Sequence, residues 1–389
     1  MVITSISLWR RGGEVMKVNP ELSEELKEFG AEKVTLCFNC GNCTAVCPLS
    51  SNSVSFPRRI IRYLQLGLEE KILGSVEPWL CYYCGECSQT CPRQADPGEL
   101  MMAMRRYLTT KYDWTGLSRR LYTSKLWEVF SIIFLFFATL GVIYLFHGPI
   151  VTTRTELETF APAYIVHPVG YIFGAVLAFF LLSNVYRMHK YIMHSGERVK
   201  IPLSVYISEL GALAYHFATQ ARLRLCTNKS FWIKHWLLMS GYTAAFILVN
   251  IDLATHWSLT NTPPPPWHPA KILWTYATIA MLYVTTVSII GRLRKKETMH
   301  KYSHSTDWMF LILLWLTVFT GFLVRIFMQF NLPLPTYYAF AVHLALAVPL
   351  LGLEVPFAKW SHLAYRPFAI YFIRVKERAL QQALQQSEA

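Results

Sequence analysis

Apolar residues crowd into six long runs, roughly 127–147, 164–187, 232–254, 271–292, 307–328 and 337–360. Each is close to the ~20 residues a helix needs to cross a ~30 Å hydrocarbon core. Before residue 127 the alternation is different. Polar and apolar residues mix, and within residues 56–73 Ile60, Ile61, Tyr63, Leu64 and Leu66 recur at helical spacing. The expected fold class is therefore all-α, a small helical soluble domain followed by a six-helix transmembrane bundle.

Two stretches of the second half do not fit a simple span. Residues 202–226 are apolar on one side but contain Glu209, His216, Arg222 and Arg224, which reads as a surface or interfacial helix. Residues 262–269, TPPPPWHP, are stiff polyproline and end any helix.

Charge gives the bundle an orientation. The chain of 389 residues is 16% charged and 53% hydrophobic, with a net charge of +13. A basic chain is one signature of nucleic-acid binding, but here the basic residues gather on one side of the spans. Residues 186–235 carry Arg187, Lys190, Arg198, Lys200, Arg222, Arg224, Lys229 and Lys234, and residues 291–305 carry Arg292, Arg294, Lys295, Lys296 and Lys301. The opposite loops carry Arg154 and Lys271. Six spans with that asymmetry place both termini and the soluble domain in the cytoplasm of a cell whose inner membrane holds a multi-pass protein. The lipid bilayer is thus the expected partner, and nucleic acid is not.

No apolar run follows the arginines of MVITSISLWRRGGEVMKV, so no signal peptide is expected. Met16 is a candidate for the true start. The expected organisation is a leader at 1–35, a two-cluster domain at 36–112, a linker at 113–126, the membrane domain at 127–366, and a basic and polar cytoplasmic tail at 367–389.

The soluble domain is identified by its cysteines. Eight of nine fall in two repeats, CFNCGNCTAVCP at 37–48 and CYYCGECSQTCP at 81–92; Cys226 stands apart. Three cysteines at x2 spacing wrap one cubic cluster, and a fourth, after x3 and before proline, ligates the other cluster in two-cluster ferredoxins. The expected [4Fe–4S] sets are Cys37, Cys40, Cys43 and Cys91 for the first cluster, and Cys81, Cys84, Cys87 and Cys47 for the second. Gly41 and Gly85 let the backbone approach each cluster. Zinc is the alternative, but zinc sites prefer two paired cysteines per ion. The fold class sharpens to a helical dicluster ferredoxin-like domain in front of the bundle. No Cys-Cys-Gly sequence occurs, so disulfide cleavage on a cluster is not expected in this chain.

All twelve histidines lie beyond residue 146. A polar ring inside lipid needs a partner. His235 falls just inside the third run, His343 lies inside the sixth, and His362 closes it. Paired histidines on facing helices are how a bundle holds haem; a satisfied hydrogen bond between helices is the alternative. Arg325 and Glu354 are candidates for proton or quinone handling, or for structural pairs.

Residues 343–367, HLALAVPLLGLEVPFAKWSHLAYRP, resemble the last helix of the haem b membrane subunit of respiratory nitrate reductases, with Pro356, Phe357, Lys359 and His362 matching its tail and His343 its earlier histidine. SFWIKHWLLMSGY, residues 230–242, is similar to that family's other ligand helix, with His235 at the cytoplasmic ligand. The family's second histidine there would fall at Ala245. The cysteine half resembles the small dicluster (C-type) component of heterodisulfide reductases. The fusion of the two resembles the C-type membrane component of the quinone-interacting membrane-bound oxidoreductase complexes of sulfate reducers, over nearly the whole chain after residue 16.

That resemblance implies two haems b beside the two clusters, and menaquinone as the lipid-soluble substrate. His235 and His362 would share the cytoplasmic-side haem. His343 lies 19 residues from His362, about 28 Å along one helix; the same rise from His235 reaches His256, the expected partner of His343, with His167 the alternative. Electrons would pass between menaquinol and soluble flavin-containing partners like the flavoprotein (A-type) component of heterodisulfide reductases, and so toward adenylylsulfate reductase. Two other functions fit the same motifs: a component of a heterodisulfide or sulfite reductase-linked complex, and a membrane anchor without haem.

Overall fold

The computed structural model describes residues 7–11, 14–51, 55–196, 200–255, 265, 267–295, 297–301 and 303–388. One short antiparallel hairpin, β1 (Ser7–Arg11) with β2 (Glu14–Lys17), pairs Arg10 with Val15. Among the described residues the remaining elements are helical, and the fold is all-α in its architecture.

The first domain contains α1 (Leu22–Lys27), α2 (Asn42–Ala45), α3 (Arg58–Gln65), α4 (Glu69–Leu73), α5 (Glu77–Leu80), α6 (Glu86–Gln89), α7 (Pro97–Tyr112) and α8 (Leu117–Thr123). The helical stripe read from the sequence does bury Ile60, Ile61 and Leu64, which pack with Leu22 and Leu26 of α1 and Met101, Met104, Tyr107 and Leu108 of α7. Each such side chain contributes about 1.5–3 kcal/mol when fully buried. Leu66, past the end of α3, is exposed.

The second half contains α9 (Lys125–Phe146), α10 (Leu157–Phe160), α11 (Ala163–His194), α12 (Leu203–Thr219), α13 (Lys229–Thr255), α14 (Pro269–Arg294), α15 (Thr298–Lys301), α16 (Ser305–Gln329), α17 (Pro333–Pro349), α18 (Val355–Phe357) and α19 (His362–Glu388). Among the described residues, five stretches are helical, long and apolar enough to cross a membrane: α9, α11, α14, α16 and residues Pro333–Phe357. The remaining run, 232–254, lies within α13, a helix of 27 residues packed along α14. Gly241 permits that approach, because a Cβ there would meet the Ala277 carbonyl oxygen at 3.3 Å.

The last run departs from the expected single helix. After α17 the chain widens into a π-helical turn at Leu350–Glu354 and breaks at Ala358 (φ −130°, ψ −145°). Pro349 and Pro356 each remove a backbone donor, which weakens the regular ladder there. His362 then opens a new helix, so the 28 Å reckoned along one helix to His343 does not apply. The tail is the rest of α19, which lies along α12, where Glu209 accepts from Arg374 at 2.7 Å and Arg378 at 2.8 Å.

The first domain packs on one end of the bundle. Arg187 of α11 donates to the Lys111 carbonyl at 3.1 Å. Tyr365 of α19 stacks edge-on against Trp79 and Tyr112. Arg106 of α7 reaches Glu99 at 2.8 Å and Asp307 of α16 at 3.4 Å, and Asp307 also pairs with Lys359.

Candidate redox site

The two cysteine repeats fold alike. Gly41 (φ +92°) and Gly85 (φ +88°) both occupy the left-handed region, where a side chain is strained. Asn39 (φ 60°) and Tyr83 (φ 57°) hold matching left-handed turns two residues earlier. The turns aim backbone donors at sulfur: Asn39 N–H lies 3.4 Å from Cys37 Sγ, and Tyr83 N–H lies 3.4 Å from Cys81 Sγ. Hydrogen bonds of this kind tune a metal-bound thiolate.

The sulfurs fall into two groups. Cys37 has Cys40 and Cys91 within electrostatic reach, and Cys43 has Cys37, Cys40 and Cys91. Cys47 faces Cys81 and Cys84, and an enclosed space is lined by Cys47, Cys81, Cys84 and Cys87. Among the described residues, no three His, Cys, Asp or Glu converge on a point that would hold a single ion. The four cysteines lining one space are the set expected to hold the second [4Fe–4S] cluster.

Burial pushes the Cys43 and Cys47 thiols up to about 11, and raises Cys81 and Cys87 as well. Cluster assembly therefore has to release protons from these groups. Arg105 and Arg366 oppose the burial effect at Cys81. Cys84 behaves differently: a hydrogen bond from Cys226 lowers it, and the same bond, with burial, raises Cys226.

His235 and His362 come together, with ring centres 6.3 Å apart. Two imidazoles on opposite sides of one metal, with bonds of about 2 Å each, place their ring centres about 6 Å apart. His235 Nδ1 hydrogen-bonds the Gln220 side-chain oxygen, and His362 Nδ1 hydrogen-bonds the Lys359 carbonyl. An Nδ1–H donor leaves Nε2 with its lone pair, the usual arrangement of a metal-ligating histidine. The pair fits an axially ligated haem.

The other site residues lie apart from this pair. His343 Nδ1 donates to the Thr317 carbonyl at 2.9 Å, and its ring sits on Gly321, where a Cβ would meet Cε1 at 3.0 Å. His256 lies outside the described residues. His167 is buried in the first turns of α11, beside a groove of about 640 Å³ lined by Glu158, Pro162, Tyr164 and Pro168. The Arg325 guanidinium lies 4.4 Å over the Trp274 ring. Glu354 is buried and accepts the Lys359 backbone N–H at 3.0 Å. Arg325 and Glu354 thus each have a structural partner.

Three contacts were not legible in the sequence: Gln220 orients His235, Cys226 meets Cys84, and Arg366 donates to the Cys81 carbonyl at 3.1 Å. Each joins residues brought together only by the fold. Arg366 alone carried a signal, because it follows His362 by one helical turn.

Residues 33–95 match the 4Fe-4S dicluster domain family. A protein of Archaeoglobus profundus described as like the C component of heterodisulfide reductase is 36% identical over 100 residues, 25% of this chain and 53% of that protein. The C component of the H(2):CoB-CoM heterodisulfide,ferredoxin reductase of Methanothermobacter thermautotrophicus is 36% identical over 56 residues, 14% of this chain and 30% of that one. The chain thus spans about half, or less, of the curated relatives it matches. No solved structure matches it. Residues 33–95 are a 4Fe-4S dicluster domain similar to the C component of heterodisulfide reductases, followed in the same chain by helices long and apolar enough to cross a membrane.

Proposed function

We propose that this chain is the membrane electron-transfer component of an oxidoreductase complex, relaying electrons between menaquinol and soluble flavin and iron–sulfur partners. Its place in the cytoplasmic membrane of a sulfate-respiring cell, on the adenylylsulfate reductase branch, follows from the family resemblance. The observation that supports the relay best is the His235–His362 pair, one helical turn from the Arg366 contact with Cys81.

The haem and clusters supply one-electron chemistry when bound. The chain supplies the rest. Gln220 and the Lys359 carbonyl hold both imidazoles with Nε2 free. Eight cysteines in two groups would hold the clusters as thiolates, and the aromatic core around Trp79, Tyr112 and Tyr365 keeps the junction packed. The six-span topology and a second haem at His343, with His256 or His167 opposite, belong to the same reading. Among the residues singled out for proton handling, Glu354 lies on the dicluster side of the bundle, next to Lys359.

The test is a haem and iron count on purified protein with a reduced-minus-oxidised spectrum after adding a menaquinol analogue. The expected result is a b-type haem reduced by quinol and about eight iron atoms in clusters. His235→Ala and His362→Ala should each remove about one haem per chain and leave cluster iron unchanged. Absence of haem from the intact protein would refute the relay and leave the anchor reading.

The relatives favour a second reading. Both carry names that tie them to the C component of heterodisulfide reductases. A complex that oxidises or reduces a heterodisulfide would use the same relay with a different soluble partner. Co-purification separates the two: adenylylsulfate reductase in one case, a disulfide-reducing protein in the other.

A further inference from the structure

The two clusters do not stand in equivalent places. We propose that the cluster of Cys47, Cys81, Cys84 and Cys87 exchanges electrons directly with the haem of His235 and His362, that the His362–Arg366 turn of α19 bridges them, and that Arg366 sets this cluster's potential. The first cluster is then the outlet to the soluble partner. The inference rests on the reading above, in which the histidine pair holds a haem.

The bridge is short. His362 and Arg366 are four residues apart on one helix, on the same face and about 6 Å apart along the axis. The Arg366 guanidinium donates to the Cys81 carbonyl at 3.1 Å and lies 4.2 Å from the centre of the Tyr82 ring. A second segment of the membrane half closes the other side: Cys226, fully buried just before α13, meets Cys84. The second cluster is thus walled by residues from both ends of the structure that carries the histidines.

The first cluster has the opposite setting. Cys40 is exposed, and Phe38 is 70% exposed with Arg93 over its ring, at 4.1 Å. The first loop is held from within the soluble domain, by α3: Arg58 donates to the Asn39 carbonyl at 2.9 Å, and Gln65 to the Cys37 carbonyl at 2.7 Å. An electron arriving from the membrane meets the second cluster first and has an open surface beyond the first.

Charge acts in the same direction. Arg105, buried in α7, donates to the Pro78 carbonyl three residues before Cys81, Arg366 donates to the Cys81 carbonyl, and both charges reach Cys81. Fixed positive charge beside a cluster favours the form carrying the extra electron and raises its potential. The step itself is the transfer of one electron: the haem iron changes by one oxidation unit, the cluster by one in the opposite sense, and no bond forms or breaks. Quinol supplies the electron, and the soluble partner accepts it. Arg366 acts through the cluster and is a positioning residue.

The test uses the full chain with its haem and iron counted first. Cys40→Ala removes the first cluster, which assigns the remaining paramagnetic signal to the second. Arg366→Gln should lower the reduced-to-oxidised ratio of the second cluster about tenfold at fixed ambient potential, a shift of about 59 mV for one electron. The first cluster should stay where it was. Arg366→Lys, which keeps the charge, should recover most of that shift. In the unmutated protein, oxidised haem should speed spin relaxation of the second cluster's signal, and His362→Ala should abolish that enhancement. A shift confined to the first cluster, no shift in either, or relaxation enhancement on the first cluster's signal would overturn the inference with haem present. A protein without haem fails at the count, which overturns the relay itself and this inference with it.

Discussion

The loops at 37–43 and 81–87 share a sequence pattern, a backbone and a chemistry, and they differ in what touches them. At equivalent positions Phe38 is 70% exposed and Tyr82 is 7% exposed. Cys40 is exposed where Cys84 is half-buried against Cys226. Local spacing and the two left-handed glycines determine how each loop wraps its metal. Distant residues, Arg366 and Cys226 above all, determine what each cluster faces. An internal repeat can therefore produce two sites with one geometry and two surroundings.

The strongest way to break the comparison is to remove a ligand that crosses it. Cys47 belongs to the first repeat in sequence and lines the space of the second in structure. Cys47→Ala should abolish the second cluster's signal and leave the first, halving cluster iron from about eight atoms to about four. Cys91→Ala should do the reverse. Loss of the first cluster on removing Cys47 would show that each repeat serves its own cluster.

Next in size is the pair of aromatic positions. Tyr82→Ala removes a buried ring and the surface on which Arg366 stacks; large-to-small changes of buried aromatics cost about 3–5 kcal/mol. Phe38→Ala removes an exposed ring, where changes usually stay within about 0.5 kcal/mol. Denaturant unfolding followed by cluster absorbance should therefore separate two substitutions at one repeat position. Equal losses would mean that the exposed first loop is as tightly packed as the second.

The parts of this molecule governed by short-range rules are legible in its sequence. The cysteine spacing, the buried stripe of Ile60, Ile61 and Leu64, and the long apolar helices all follow from periodicity or ligand geometry. The break at Ala358 is not legible there, because a helix with Pro349 and Pro356 can also bend and continue; Leu350, Leu353 and Phe357 of the π-helical turn and the short helix after it pack into two tertiary clusters. The contact of Cys226 with Cys84 is not legible for a different reason. Nothing within several residues of it marks a site, and it acquires its neighbour only when the segment before α13 folds back on the second loop. The pairing of Asp307 with Arg106 and Lys359 is likewise tertiary, joining three elements across the chain.

The smallest effect probes how the second loop's setting is held. Arg366 belongs to α19, and α19 is fastened to α12 by Glu209 between Arg374 and Arg378. Both arginines are about half exposed, so each pair contributes only about 0.2–1 kcal/mol. The hydrogen bonds from Arg378 and then Arg374 hold the Glu209 carboxyl below its ordinary value of 4.5. A carboxylate depressed in the folded state stabilises the fold above its unfolded pKa, and that contribution is lost as pH falls through the folded value. Glu209→Gln should therefore lower the thermal midpoint slightly at neutral pH, and the gap from the unmodified protein should close as pH drops below about 4.5. Raising salt at neutral pH should narrow the same gap. Because α19 carries Arg366 to the second loop alone, any change in cluster behaviour should appear in the second cluster; a response in the first would mean that α12 and α19 brace the whole domain and that the asymmetry between the loops is only one of exposure.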